Sequence, residues 1–326
     1  MEVYVKVFVI LGNDCNLQCR YCCQRQIRTR QIPRVIKPKF WEHFHSLPPD
    51  THITFFGGEP LLYFGAIKEI MSHRPDLEYG LISNGKLLDE QKVQYFNDHN
   101  VSITISWDGD NSIITRGYNV MEDNASNIAK LNGLAISGVV TKWTNPLHIV
   151  DGINKYLPNR VVGLAFMPPL DFTGSYPEFC HLEPNIIEHD LYTITKHVAS
   201  GNGSPCEQSF MYNHLRMMQE LDSSARCLYG GRCGNGTAIL NIDLDGNFYP
   251  CHNMDTPEEY TDEWDKTFAR QDGMCKECEI LNYCRGGCPI MSDEAMKNSC
   301  EARRAFYRGI TRALNEYALE VDNAKT

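Results

Sequence analysis

The chain has little positive charge: 31 Lys and Arg stand against 41 Asp and Glu, a formal net charge of -10 at pH 7 and a pI near 5.6. Nucleic-acid recognition starts from a basic field, so this balance excludes a general phosphate-backbone binder and mainly favours solubility. Long apolar runs are missing as well. The segment VFVILG (residues 7–12) is too short to span a bilayer, and Glu2 stands where an export signal carries its basic start. A cytoplasmic chain with no membrane and no nucleic-acid partner is expected. There is neither an internal repeat nor a low-complexity tract. Without export, Asn-x-Ser/Thr sequons such as those at Asn124 and Asn235 carry no glycan.

What the chain does have is cysteine, 14 residues among 326. They fall in two crowds, residues 15–23 and 227–300, with only Cys180 and Cys206 between. Thiols that stay reduced in the cytosol point to metal thiolates or catalysis rather than structural disulfides. Cys180 and Cys206 fit no ligand spacing and are expected to be buried free thiols.

At 37.2 kDa the chain is long enough for a large α/β domain and a smaller one. Six β-rich runs punctuate the first half: YVKVFVIL (4–11), HITFFG (52–57), YGLIS (79–83), VSITIS (101–106), GVVTKW (138–143) and VVGLAF (161–166). Amphipathic stretches separate them, among them FWEHFHSL, FGAIKEIMSH, DEQKVQYFNDH, NASNIAKLNGL and IVDGINKYL. Apolar strands alternating with helix-length inserts predict a parallel sheet with crossover helices. Two further units would be needed for a closed eight-strand barrel, so the expected class is α/β, a partial six-strand (β/α)6 barrel. It is assigned to residues 1–171, followed by a helical bridge over 172–226 and a small cysteine-rich domain over 227–326. In that last part, TAILNIDLDGNFYPC (237–251) alternates around Asp-Gly and predicts a β-hairpin. A helix is expected near 299–320. A segment so rich in cysteine builds little apolar core and depends on metal cross-links.

The first cluster reads Cys15-x3-Cys19-x2-Cys22, with Tyr21 just before the third thiol. Three thiolates on one loop hold three corners of a cubane iron-sulfur cluster and leave the fourth iron open to another ligand. A zinc site or a run of buried thiols is the alternative. The spacing resembles the radical S-adenosylmethionine (SAM) superfamily, whose signature is CxxxC, any residue, an aromatic, then C. In that family the open iron chelates SAM, and one electron cleaves the sulfonium carbon-sulfur bond to give methionine and a 5'-deoxyadenosyl radical; the cofactor carries the chemistry. Further matches follow in chain order. Gly57-Gly58-Glu59-Pro60 resembles the family's GGEP motif, which implies contact with the SAM amino group. Ser83-Asn84-Gly85 is similar to the element near the SAM ribose, and Ser106-x-Asp108-Gly109 to a serine-bearing stretch that touches SAM. Each stands at the carboxyl end of a successive strand, where a barrel builds its site. Arg116 pairs with the SAM carboxylate in this reading, or is a solvated surface residue. Cys23 is taken as structural.

The second cluster reads Cys227-x5-Cys233-x12-Gly246-x4-Cys251, then Cys275-x2-Cys278-x5-Cys284-x3-Cys288, then Cys300. The spacing resembles the SPASM extension of peptide-modifying radical SAM enzymes, which implies two auxiliary [4Fe-4S] clusters beside the SAM-binding one. The resemblance gives one to Cys227, Cys233, Cys251 and Cys288 and the other to Cys275, Cys278, Cys284 and Cys300. A zinc ribbon remains the alternative for Cys275 to Cys288 taken alone.

Sulfatase-maturing relatives place an Asp after the cysteine that ends the hairpin; here that position is His252. It is either a base near neutral pH or a partner of the cluster. The resemblance implies a peptide-modifying oxidoreductase, similar to maturases of ribosomally made peptides, that abstracts hydrogen and leaves a crosslink or an oxidised side chain. A flavodoxin- or ferredoxin-type protein would supply electrons. With Cys15 so near the start, a peptide leader would be read by another surface or a separate protein. Arg25, Arg28, Arg30, Arg34, Lys37 and Lys39 form a basic run that is either a dock for an acidic peptide or a solvated face. Two other classes compete: a radical SAM dehydrogenase or rearrangement enzyme for a small molecule, and a non-catalytic iron-sulfur or zinc protein.

Overall fold

A computed structural model describes residues 6–26, 35–172, 174–220, 239–249, 251–254, 270–271, 273–284, 286–288 and 290–323, with backbone alone at 25–26 and 217–220. The chain divides into two compact units. The first comprises Met1–Ser106, Arg116–Ala135 and Gly234–Asp262; the second comprises Trp107–Thr115, Ile136–Cys233 and Glu263–Thr326.

In the first unit, β1 (Lys6–Ile10), β2 (His52–Phe56), β3 (Glu78–Ser83) and β4 (Ser102–Ser106) lie side by side and parallel, with Val7 opposite Ile53, Ile53 opposite Tyr79 and Leu81 opposite Ile103. One face of this sheet is uniformly apolar. Val7, Val9, Ile53, Phe55, Leu81, Ile103 and Ile105 lose essentially all exposure there, and the helices that return the chain cover that face. Helix α1 (Pro38–His45) buries Phe40 and Phe44, α2 (Phe64–His73) buries Ile67, Ile70 and Met71, and α3 (Glu90–Asp98) buries Val93 and Phe96. Proline opens α1, and the Asp89 carboxylate accepts from the Lys92 amide at the start of α3.

The Asp-Gly hairpin forms as expected. Strand β7 (Ile239–Asp243) pairs antiparallel with β8 (Phe248–Tyr249), and Gly246 takes the left-handed φ of 81° in the turn. Strand β7 continues the parallel sheet beyond β1, Lys6 facing Ile239 and Phe8 facing Asn241.

The second unit holds most of β5 (Gly133–Val139, which starts in the first unit) and β6 (Gly163–Met167), with Val140 donating to the Met167 carbonyl at 2.9 Å. The fifth strand lies earlier than the expected run at 138–143. The helix before it, α5 (Val120–Ile128), stops short of Asn132-Gly133, and GLAISGV then buries alternate residues; the stretch beyond folds into a turn bridging Thr141 and Thr144. A four-residue helix α4 (Ser112–Thr115) and α6 (Pro146–Tyr156) precede the long helices α7 (Pro184–Ala199) and α8 (Pro205–Glu220). The C-terminal helix spans Asp293–Asn323, longer at both ends than expected. Against it α7 packs closely: a Cβ on Gly309 would stand 2.5 Å from the Glu188 carbonyl oxygen. Among the described residues no helix is long and apolar enough to cross a membrane.

Candidate active site

The site is built from turns at the carboxyl ends of β1, β2 and β3. The Gly58 amide donates to the Gly12 carbonyl and the Glu59 amide to the Asp14 carbonyl, each at 2.8 Å. Contact this close needs glycine. A Cβ on Gly58 would fall 2.2 Å from the Asp14 carbonyl oxygen, and Gly57, at φ 147°, would meet the Gly12 carbonyl oxygen at 2.3 Å. The Tyr63 hydroxyl donates to Asp14 Oδ2 at 3.1 Å. The loop carrying Cys15 is thereby clamped to the GGEP turn.

Glu59 is 1% exposed and ties the second turn to the third. Its Oε1 accepts from the Leu61 amide at 2.9 Å and the Ser83 hydroxyl at 2.7 Å, and its Oε2 from the Asn84 amide at 2.8 Å. Burial raises its pKa, and these three donors oppose the rise. A carboxylate offers about four lone-pair sites, so one on Oε2 is left for an ammonium. The Asn84 side chain donates to Asn16 Oδ1 at 2.8 Å and stands 3.9 Å from the Cys15 sulfur. Thus Glu59, Ser83, Asn84, Asn16 and Cys15 form one hydrogen-bonded string, and Pro60 opens the short 3-10 turn that Glu59 caps.

Cys15, Cys19 and Cys22 are half-buried on one loop, closed by the Cys22 amide donating to the Cys19 carbonyl at 3.2 Å. Tyr21 lies beneath, and the Arg116 guanidinium sits 5.4 Å from its ring centroid. Arg116 is only 7% exposed, which removes the solvated-surface alternative. Cys23 points at Asn253 Oδ1, 3.7 Å away. In the second unit Asp108 is fully buried. One oxygen accepts from the Thr115 hydroxyl at 2.7 Å and the other from the Val139 amide at 2.8 Å, so its carboxylate closes its own loop. Ser106, half-buried at the end of β4, bears a hydroxyl.

His252 lies over the sheet face that carries Phe8, Phe56 and Asn241, with ring centroids 4.5 Å from Phe8 and 4.4 Å from Phe56. Its Nδ1 is 3.3 Å from Asn241 Oδ1, while the Asn241 amide donates to the Tyr249 carbonyl at 3.1 Å. That second bond fixes Asn241 Oδ1 as acceptor. Nδ1 therefore carries the proton and Nε2 is the bare nitrogen. Burial first and the Lys6 charge second push its pKa down to about 4. Asn241 was not singled out by the sequence, since an Asn inside a strand bears no motif.

In the second unit, Cys275, Cys278, Cys284 and Cys300 lie within electrostatic reach of one another: after burial, the charges of Cys284, Cys300 and Cys278 raise the Cys275 pKa. Cys284 closes the short helix Leu281–Cys284, and Cys300 lies on the C-terminal helix. Gly286 and Gly287, both left-handed at φ 83° and 73°, carry the chain on to Cys288. The Ile290 and Met291 amides hydrogen-bond the Cys288 thiol, and the Asn253 amide points at the Cys251 sulfur at 3.5 Å. Among the described residues no three Cys, His, Asp or Glu side chains converge at metal-binding distance. The donor set nevertheless suits iron-sulfur clusters: soft thiols on hydrogen-bonded turns, several receiving N–H donors as cluster thiolates do. Cys227, Cys233, Arg28, Arg30 and Arg34 lie outside the described residues, as does the Arg25 side chain, whereas Lys37 and Lys39 are exposed. Burial pushes the Cys180 thiol up to about 12 and raises that of Cys206, so both stay protonated.

Sequence reasoning also missed Arg270, 3% exposed. Its guanidinium donates to the Gly286 carbonyl at 3.1 Å, the Cys288 carbonyl at 2.7 Å, Asp293 Oδ1 at 2.7 Å and the Met291 carbonyl, and so gathers the loop around Cys288.

Residues 9–141 match a family model described as the Radical SAM superfamily. The radical SAM cyclopropyl synthase TigE of Paramaledivibacter caminithermalis is 20% identical over 97% of this chain and 76% of its own length. The serine-type anaerobic sulfatase-maturating enzyme of Klebsiella aerogenes is 21% identical over 97% of this chain and 87% of its own. The solved structure of native anSMEcpe with bound AdoMet and Cp18Cys peptide aligns with a TM-score of 0.70 at 20% identity, covering 96% of this chain and 98% of that one. At such identity the likeness is one of fold.

Proposed function

We propose that the protein is a SAM-cleaving oxidoreductase that modifies a peptide, on the premise that residues 9–141, which match the Radical SAM superfamily model, work as such a domain. The carrying observation is the string from Glu59 through Ser83 and Asn84 to Cys15, which brings three motifs of different strands into one site. Cys15, Cys19 and Cys22 would hold a [4Fe-4S] cluster. Two auxiliary clusters would rest on Cys227, Cys233, Cys251 and Cys288, and on Cys275, Cys278, Cys284 and Cys300. When bound, SAM and its cluster supply reductive sulfonium cleavage and, through it, hydrogen-atom abstraction from an unactivated C–H bond.

The chain's own residues bind and orient. The free lone pair of Glu59 and the backbone of Gly57, Gly58 and Pro60 receive the SAM ammonium, and Arg116, held on Tyr21, meets its carboxylate. Asn84 and Ser106 serve the nucleoside, Ser83 acts by holding Glu59, and Asp108 shapes the turn after β4. His252 Nε2, kept bare by Asn241, accepts a proton from the substrate. A peptide substrate agrees with the peptide bound in anSMEcpe and with the maturase names of the relatives.

The test is anaerobic reconstitution with iron and sulfide, then SAM and dithionite. Methionine and 5'-deoxyadenosine are expected, with a rate that rises when candidate peptides are added. Colourless protein that leaves SAM intact overturns the proposal; stimulation by a small molecule and by no peptide overturns its substrate half.

A further inference from the structure

The turn after β3 carries a side chain whose hydrogen bonds fix which way it faces. Asn84, 7% exposed, accepts the Lys86 amide on Oδ1 at 3.0 Å. That bond fixes the carbonyl end of its amide and leaves Nδ2 as the donor. One Nδ2 hydrogen goes to Asn16 Oδ1 at 2.8 Å, and the other to the Cys15 sulfur at 3.9 Å.

The turn is itself held from two sides, all within the first unit. Glu59 Oε2 accepts the Asn84 amide at 2.8 Å, and the Ser83 hydroxyl oxygen accepts the Gly85 amide at 2.9 Å. From α5 the Asn124 side chain donates to the Gly85 carbonyl at 3.0 Å and to the Leu88 carbonyl at 2.6 Å. Gly85 takes a left-handed φ of 73°, and a Cβ there would stand 3.1 Å from Val120 and 3.3 Å from Ile105. A donor held this firmly needs no reorganisation when the atom it faces gains negative charge.

We infer that Asn84 is a positioning residue for the iron-sulfur cluster, its side-chain N–H bonding the Cys15 thiolate and so raising the potential at which that cluster takes up an electron. A hydrogen bond to a thiolate sulfur stabilises negative charge, and the reduced cluster carries one negative charge more than the oxidised one, so the bond favours the reduced state. The reductant is a low-potential one-electron donor of the flavodoxin or ferredoxin type, or dithionite. It loses one electron, the cluster gains one, and no covalent bond or proton is exchanged. Asn84 Oδ1 keeps one lone pair for the nucleoside. This role rests on Cys15, Cys19 and Cys22 being the ligands proposed above, but the two can fail separately.

The experiment is an anaerobic potentiometric titration of the reconstituted full chain without SAM, followed by EPR. The part of the reduced signal that changes shape on later addition of SAM belongs to the Cys15 cluster, and the remainder, from the auxiliary clusters, is an internal reference. Asn84→Leu removes the donor without adding charge. It should leave about tenfold less of the Cys15 cluster reduced at a given potential, a midpoint lower by about 59 mV for one electron, with the reference midpoints in place. Asn84→Asp keeps an acceptor for the Lys86 amide and loses both side-chain N–H groups; it should fall at least as far, and serves where the leucine variant does not assemble. ENDOR of the reduced wild type should show an exchangeable-proton coupling that both variants lack. An unchanged midpoint, a fall shared with the reference, or identical proton couplings in wild type and variants overturns the inference alone. A wild-type chain with no SAM-responsive signal overturns the cluster reading and this role with it.

Discussion

At the scale of single residues, Glu59 shows how one carboxylate makes a site from separate motifs. Replacing it by Gln puts an amide among three donors, and at least one buried donor loses its acceptor. Glu59→Gln is expected to lower stability by about 1–3 kcal/mol and to raise the SAM concentration needed for half-maximal deoxyadenosine release, read by anaerobic urea unfolding and SAM titration. Burial of His214 gives stability a pH dependence. Its folded pKa of about 4 lies below the ordinary 6.5, so proton binding favours the unfolded chain. The stability it confers is intact above pH 6.5 and drains as the pH falls toward 4. Between pH 7 and pH 5 the loss due to this group is about 2 kcal/mol, and urea unfolding of His214→Phe should show a drop smaller by that amount. The residues visible in the sequence were those with a spacing: the cysteines, the GGEP turn, Ser83-Asn84. Arg270, His214 and Asn241 were not, because a lone polar residue declares itself only through what surrounds it in space.

At the scale of elements, most strands and helices were legible from periodicity, within a few residues at their ends. The fifth strand was not. The run GVVTKW has the β-branched content of a strand, but GLAISGV has the alternation, and burial of one face decided between them. The pairing of α7 with the C-terminal helix was equally hidden, since each carries an ordinary amphipathic stripe. Gly309 is its sharpest requirement: with the Glu188 carbonyl 2.5 Å from a built Cβ, Gly309→Ala forces the helices apart despite better helix propensity. A loss of about 1–3 kcal/mol is expected in thermal or urea unfolding. Ion pairs along the same seam, Arg308 and Arg312 with Glu188 and Lys196 with Glu320, are partly solvated and contribute little. Removing Arg312 should therefore be nearly silent where Gly309→Ala is not.

At the scale of the whole molecule, the parallel α/β plan followed from alternating apolar runs and crossover lengths, and the hairpin from Asp-Gly. Its place beside β1 did not, because no local pattern states which strand a distant one will join. That placement has a consequence for handling. Strand β1 is short, apolar and central only because β7 lies along it; without β7 its backbone would be an open edge that invites strands of other chains. If Cys251 ligates an auxiliary cluster as proposed, oxygen that destroys that cluster would loosen the hairpin and uncover that edge. Air-exposed preparations should accordingly clump through intermolecular β-pairing, seen as rising light scatter and thioflavin fluorescence, while material kept under nitrogen stays clear.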